Sequence, residues 1–297
     1  MLVIGSRGSQ LALWQARHIA ACLKTLGVES RLEIIKTTGD KITDVPLAQV
    51  GGKGLFTKEI EEALLAGTID LAVHSLKDMP TALPEGLALA AIPEREDPRD
   101  ALIGKPLTEL KAGDAVGTSS LRRAAQLHAL GRGFKIETLR GNVDTRLRKL
   151  DEGQYQTIVL AAAGLRRLGW AGRICEMLDP SVMCPAVGQG ALAIETRTDG
   201  GEAHKLVRRL NHEATETAVV AERALLATLE GGCQVPIGAH ARVEGKTIHL
   251  QAVVASPDGR RLLRESGEGG EPVALGKSVA QKLLDAGAAD ILKEAVR

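Results

Sequence analysis

Leu2-Val-Ile-Gly-Ser-Arg-Gly-Ser-Gln-Leu-Ala-Leu-Trp-Gln15 opens with a short apolar run, turns through Gly8 and Ser9, and enters a helical pattern. Leu2–Gly5 reads as a strand. Ser9 is placed to cap a helix that carries Leu11, Trp14, Ile19, Leu23 and Leu26 and stops at Gly27. Arg31–Thr37 reads as the next strand, Leu55–Leu65 as a helix, and Ile69–Val73 and Leu87–Ile92 as further strands. That alternation predicts an α/β domain with a mostly parallel sheet.

Glu94–Arg99, a charged cluster around Pro98, reads as a domain crossing. A second α/β unit follows: strands at Ala115–Gly117, Lys135–Leu139 and Thr157–Ala161, and helices at Ser119–Leu130 and Val143–Leu150. Pro185-Ala-Val-Gly-Gln-Gly-Ala191 is a second candidate hinge, because Gly188 and Gly190 permit unusual backbone angles. Strand-like Ala191–Thr196 then returns to the first domain. A long helix at Glu213–Leu229 ends at Gly231-Gly232, and strands follow at Ile237–Val243, Thr247–Ala255 and Arg261–Glu265. Ser256-Pro-Asp-Gly259 marks the turn between the last two. With helical segments from Pro272 to Ala295, this tail reads as a small α+β domain. The expected division is 1–95 with 188–210, 98–186, and 213–297.

The chain has 297 residues, 44% of them hydrophobic and 25% charged, the balance of a folded globular protein. Its 38 Lys and Arg against 37 Asp and Glu leave a formal charge of +1, so no global field draws it to nucleic acid or an anionic membrane. Aromatic residues make up 2%, too few to offer bases a stacking platform. No apolar stretch is long enough to span a bilayer. The N-terminal residues lack a basic leader with an apolar run behind it, so no signal peptide is expected. Cys22, Cys175, Cys184 and Cys233 form no Cys-x-x-Cys pair, which argues against a zinc site or a disulfide framework and for a reducing cytoplasm.

Against that near-neutral background, residues 118–149 hold eight cations and only Glu137 and Asp144, a local charge of 8 − 2 = +6. Thr118-Ser-Ser-Leu-Arg-Arg123 follows a strand and opens a helix, where free N–H groups and the positive dipole end favour an anion. Arg140-Gly-Asn142 follows the next strand in the same way. Arg132, Arg148 and Lys149 read as a solvated face. Arg122, Arg123, Arg140 and Arg146 read as a bidentate grip on carboxylates. For Arg7 and Ser9 after the first strand, ligand binding and simple helix capping stand level.

Ile69-Asp-Leu-Ala-Val-His-Ser-Leu-Lys-Asp-Met-Pro80 drives an apolar strand into His74, Ser75, Lys77 and Asp78. A carboxylate there can stabilise a developing cation while Lys77 binds an anionic group; the plain alternative is an exposed Lys–Asp pair. His74 reads as an inward-facing core residue. Cys233 lies in Glu230-Gly-Gly-Cys-Gln-Val-Pro-Ile-Gly238, where flanking glycines allow close approach to a thiol. Cys22 and Cys175 read as inert buried thiols on helices, and Cys184 is open to either role. Gly51-Gly-Lys-Gly-Leu-Phe56 lacks the phosphate-loop pattern and reads as a lid with a cationic Lys53.

Taken together, these segments resemble the porphobilinogen deaminase family. The resemblance rests on Arg7-x-Ser9-x-Leu-Ala-x-x-Gln15, Val50-Gly-Gly-Lys-Gly-Leu-Phe56, His74-Ser-Leu-Lys-Asp-Met-Pro80, Val116-Gly-Thr-Ser-Ser-Leu-Arg-Arg123 and Leu139-Arg-Gly-Asn-Val-x-Thr-Arg146. Ala163-Gly-Leu-x-Arg-Leu-Gly169, Pro185-Ala-Val-Gly-Gln-Gly190 and the Cys233 segment agree, in the family's order. It implies two doubly wound domains similar to periplasmic binding proteins, joined by a hinge, plus the small α+β domain. It also implies a transferase that joins four porphobilinogen units on a dipyrromethane cofactor held in thioether linkage to Cys233, with no metal. The catalytic aspartate would be Asp78. The cofactor and substrate contacts would be Arg7, Ser9, Lys77, Ser120, Arg122, Arg123, Arg140, Arg146 and Arg167, with Lys53 and Phe56 in the lid. Ser75, Thr118, Ser119 and Gln189, within the same motifs, complete the candidate set. A cytoplasmic monomer with no nucleic-acid or membrane partner is expected. The competing reading is a non-catalytic, two-lobed anion-binding protein, which leaves Cys233 and Asp78 without a role.

Overall fold

The computed structural model describes residues 1–41, 55–230 and 235–296. Lys53 and Cys233 lie outside the described residues. Strands β1 (Leu2–Ser6), β2 (Ser30–Ile34), β3 (Leu71–Ser75) and β4 (Leu87–Ala91) come first. A second sheet is built from β5 (Asp100–Gly104), β6 (Ala115–Gly117), β7 (Lys135–Glu137), β8 (Thr157–Ala161) and β9 (Glu176–Met177). The chain then returns as β10 (Leu192–Arg197) to complete a first sheet of order β2-β1-β3-β10-β4. The second sheet has the order β7-β6-β8-β5-β9. β11 (Ile237–Glu244), β12 (Thr247–Ala255) and β13 (Leu262–Gly269) form a three-stranded antiparallel sheet. The architecture is therefore two doubly wound α/β sheets and a small C-terminal α+β layer.

The two larger sheets share one plan. In each, four strands run one way and a single strand is reversed: β10, between β3 and β4, in the first, and β5, between β8 and β9, in the second. The sheets are thus mostly parallel in strand direction, as expected, with one reversed strand in each. The strand that breaks the rule is supplied from far along the chain, so local rhythm carries no sign of its direction.

Alternating side chains bury both faces. Ile4, Leu71 and Val73 join Ile19 and Leu23 of the Gln10–Thr25 helix on one side of the first sheet. Val3 and Ala72 meet Ile60 and Leu64 of the Lys58–Leu65 helix on the other. The second sheet repeats this with Ala101, Ile103 and Ile158 on one face and Leu102, Val116 and Val159 on the other. A period of two with both faces covered is what a doubly wound sheet requires.

By contact, the chain divides into two compact units, Met1–Glu96 with Ala191–Glu216 and Asp97–Gly190 with Thr217–Arg297. The C-terminal sheet belongs to the second. Its buried face, Ile248, Leu250, Ala252 and Val254, packs on Leu225, Val279, Leu283 and Ile291. The helical tail is two helices, Pro272–Asp285 and Ala288–Val296, parted at Gly287 with a φ of 97°. Gly276 lets the first of them close on the Glu213–Thr228 helix: a Cβ there would collide with the Ala221 carbonyl oxygen and stand 2.8 Å from Ala224 Cβ. Gly276→Ala is expected to destabilise the protein by about 1–3 kcal/mol. An unchanged urea midpoint would show that the helices part without cost.

Candidate active site at the strand ends

In the first unit, β1 delivers Arg7 and β3 delivers Ser75, both where parallel strands end. Ligands in doubly wound sheets sit outside these carboxyl ends. Ser9 caps the Gln10–Thr25 helix, its Oγ accepting from the Ala12 N–H at 3.3 Å. The cap uses an oxygen lone pair, and the hydroxyl proton is a separate donor. Arg7 lies over Phe56, its guanidinium carbon 4.1 Å from the ring centroid, a cation–π contact between two residues singled out above.

Beyond β3, residues Leu76–Asp78 form one tight 3₁₀ turn. Leu76 and Met79 are buried, and the Leu76 N–H donates to the Ala191 carbonyl at 3.0 Å. Those anchors leave Lys77 half-buried and Asp78 exposed. Ser75 Oγ accepts from Gln15 Nε2 at 2.8 Å, so the first helix positions the strand end.

Beneath this turn lies a buried polar cluster. His74 Nε2 is 2.9 Å from Glu195 Oε2, with both side chains buried, so His74 is the core histidine that its strand position implies. Glu61 is buried nearby. Burial, joined by the negative charge of Glu195, pushes its pKa up. Oε1 of Glu61 and Oε1 of Glu195 find no hydrogen-bond partner among the described residues. A raised folded pKa means this site is fully stable only below the unfolded carboxylate value and loses stability as pH rises. Glu61→Gln is therefore expected to raise the melting temperature at pH 8 and to leave it unchanged near pH 4. A gain that was constant across that range would exclude titration of Glu61 as its cause.

The second unit builds its site in the same way. After β6, Thr118 Oγ1 accepts from the Ser120 N–H at 3.2 Å, and Ser119 Oγ donates to the Leu139 carbonyl at 2.6 Å. The second bond ties the turn after β6 to the one that carries Arg140. Ser120 caps the Leu121–Ala129 helix, accepting from the Arg123 N–H. Arg146 Nε donates to the Gly141 carbonyl at 2.7 Å, where Gly141 takes a φ of 110°, and Lys149 Nζ donates to the Arg140 carbonyl at 3.3 Å. Arg167, on the Ala162–Arg167 helix after β8, donates to the Gly190 carbonyl at 2.6 Å.

Arg122 and Arg123 differ from the expected paired grip. Both are 5% exposed and turn onto Asp100, which is 0% exposed at the start of β5. Arg122 Nη1 donates to Asp100 Oδ2 at 2.7 Å and to the Cys184 carbonyl at 2.6 Å. Arg123 donates from Nε and Nη2 to Asp100 Oδ1 at 3.0 and 2.7 Å, and from Nη1 to the Val159 carbonyl at 3.0 Å. All three Arg123 nitrogens thus have acceptors inside the second unit. The Gln189 amide also faces inward, its Nε2 donating to Asp100 Oδ1 at 2.9 Å and to the Pro98 carbonyl at 2.7 Å. Burial opposes a charged Asp100, but the two guanidiniums outweigh it and hold the carboxyl well below its usual range. Asp100 carries no signal in sequence, one acid among several in a charged cluster.

The described cysteines are not activated. Cys184 is fully buried, and burial pushes its thiol up to about 12. Cys22 is raised by burial as well. Cys175, expected on a helix and buried, is exposed in the bend before β9, with its thiol also raised by desolvation. Among the described residues, no helix is long and apolar enough to cross a membrane.

Residues 2–205 match the family described as "Porphobilinogen deaminase, dipyromethane cofactor binding domain", and residues 216–285 match "Porphobilinogen deaminase, C-terminal domain". A relative named porphobilinogen deaminase from Syntrophobacter fumaroxidans is 54% identical over 301 residues, covering 99% of this chain and 97% of its own. Another so named, from Geobacillus kaustophilus, is 51% identical over 98% of this chain and 96% of its own. Among solved structures, a periplasmic substrate-binding protein of an ABC transporter from Coxiella burnetii is similar at 13% identity and a TM-score of 0.45, over 75% of this chain and 95% of that one.

Proposed function

The chain belongs to the porphobilinogen deaminase family, and from that premise we propose that Asp78, Cys233 and the strand-end cations carry the family's reaction in this protein. The enzyme is a transferase whose substrate is porphobilinogen and whose cofactor is dipyrromethane. In each cycle ammonia leaves the aminomethyl carbon of porphobilinogen, a C–C bond forms to the free α-carbon of the terminal pyrrole, and that carbon gives up its proton. Four additions, then hydrolysis, release hydroxymethylbilane.

The residues present suit such a group. Each pyrrole brings an acetate and a propionate, and gathering them requires cations to offset their repulsion. Arg7 and Lys77 follow strands of the first unit; in the second, Arg122, Arg140 and Arg146 lie in the turns and first helical turns after β6 and β7, and Arg167 ends the helix after β8. Ser9 and Ser120, already helix caps, offer hydroxyl protons to the same carboxylates. Arg122 and Arg123 share one carboxylate, so with Asp100 the three side chains sum to 2 − 1 = +1, adding to the positive end of the Leu121–Ala129 helix. Asp78 stabilises the pyrrole N–H groups as positive charge develops. Cys233 is the attachment point of the cofactor, and Lys53 is among the cations that offset its carboxylates. We take 1–95 with 188–210, 98–186 and 213–297 as the domains, the last carrying Cys233, in a cytoplasmic monomer without a nucleic-acid partner.

The observation that carries this reading is the Lys77–Asp78 turn, a cation and an exposed carboxylate held at a strand end by buried Leu76 and Met79. Its test is the intact mass of the purified protein, which should exceed the sequence mass by a dipyrromethane and climb in single-pyrrole steps with limiting porphobilinogen. A folded, unmodified chain that turns over no porphobilinogen would leave the anion-binding alternative, which gives this turn no task.

A further inference from the structure

We propose that Asp100 is a positioning residue for cofactor loading: its buried carboxylate holds Arg122 in the one orientation from which that arginine can receive a ligand carboxylate. The inference rests on the reading that Arg122 meets a dipyrromethane carboxylate.

Arg122 sits in the first turn of the Leu121–Ala129 helix, directly after the Ser120 cap, where the helix end favours an anion. A free arginine side chain in that turn samples many rotamers, and ordering it on binding costs affinity. Here the ordering is done in advance. Arg122 Nη1 is shared between Asp100 Oδ2 at 2.7 Å and the Cys184 carbonyl at 2.6 Å. Both acceptors are themselves held. Asp100 Oδ1 accepts from Arg123 Nε at 3.0 Å, Arg123 Nη2 at 2.7 Å and Gln189 Nε2 at 2.9 Å, which fixes the carboxylate plane and directs Oδ2 at Arg122. Gln126 grips the Cys184 peptide from both sides, its Oε1 accepting from the Cys184 N–H at 2.8 Å and its Nε2 donating to the Cys184 carbonyl at 3.1 Å.

Stability alone is a weak account of this arrangement. A buried ion-pair cluster rarely outperforms apolar side chains of the same volume, because each charge is costly to strip of water. What a cluster does supply is a single geometry for a charge that must meet a partner. Asp100 has no exposed surface with which to touch a ligand, so its effect is exerted through Arg122.

The test uses full-length protein produced in cells and read by intact mass for the fraction carrying the adduct. In D100N, which keeps the shape and removes the charge, that fraction should fall several-fold, up to about ten-fold, the worth of ordering one long side chain. It should do so at temperatures well below the melting midpoint. Thr157→Val serves as the control for lost stability: its buried hydroxyl bonds the Ile103 and Lys105 carbonyls in the same sheet, remote from Arg122 in role. It should melt lower yet load as the wild type does. D100N that loads as fully as the control overturns the proposal. If D100N does not fold, the comparison moves to R123Q against D100N/R123Q, the double variant keeping the native +1 sum of the three side chains. Equal loading of those two also overturns it. Wild-type protein without an adduct overturns the cofactor reading itself, and the proposal with it.

Discussion

Asp78→Asn is expected to cut turnover of porphobilinogen by about 100-fold or more while leaving the protein folded and its adduct in place. Asn matches Asp in shape but carries no charge, so the change isolates the electrostatic contribution. The 3₁₀ turn that bears Asp78 is held by Leu76 and Met79, both buried, and by the Leu76 bond to Ala191, none of which involves the carboxylate. Asp78 is exposed in that turn, and the melting temperature should therefore hold. If the carboxylate acts on charge that develops as ammonia leaves, kcat should fall and KM for porphobilinogen should change little. Turnover within a few-fold of wild type would remove Asp78 from the chemistry. A fall confined to KM would make it a binding residue instead.

Cys233→Ala is expected to abolish both the mass excess and turnover, the largest effect of any single substitution. The other thiols are poorly suited to replace it. Cys184 is fully buried with its pKa pushed up to about 12, so almost none is thiolate at neutral pH. Burial raises Cys22 and Cys175 too. Replacing either with Ala should leave the adduct and the rate intact. An adduct that survived on C233A would move the attachment point to one of these positions, and peptide mapping would locate it.

Several features of the site were open to reading before any tertiary contact was known. Ser9 stands just ahead of an apolar-periodic run and is the N-cap, whereas Ser120, which falls inside the expected Ser119–Leu130 helix, caps one that starts at Leu121. Arg7 follows β1 directly and Ser75 is the last residue of β3, while β7 stops at Glu137, short of the expected Leu139 and of Arg140. Other features had no local signal. The Ala162–Arg167 and Glu202–Arg208 helices have 6 and 7 residues, too few for a helical period to show in the sequence. The spacing around Cys175 suits a helix, but the chain makes a bend there and leaves the residue exposed.

By itself, then, the sequence determined the strand–helix alternation, the caps, the eight motifs and, through them, the family. Each of these is set by residues within a few positions of one another, where propensity, capping and period act. Only the tertiary structure decided that β10 runs antiparallel between β3 and β4, that His74 meets Glu195 from 121 residues away, and that Arg122 and Arg123 turn inward to Asp100 rather than outward together. Which buried charge finds which partner depends on strand order and register, and those follow from the packing of the whole sheet, not from any window along the chain.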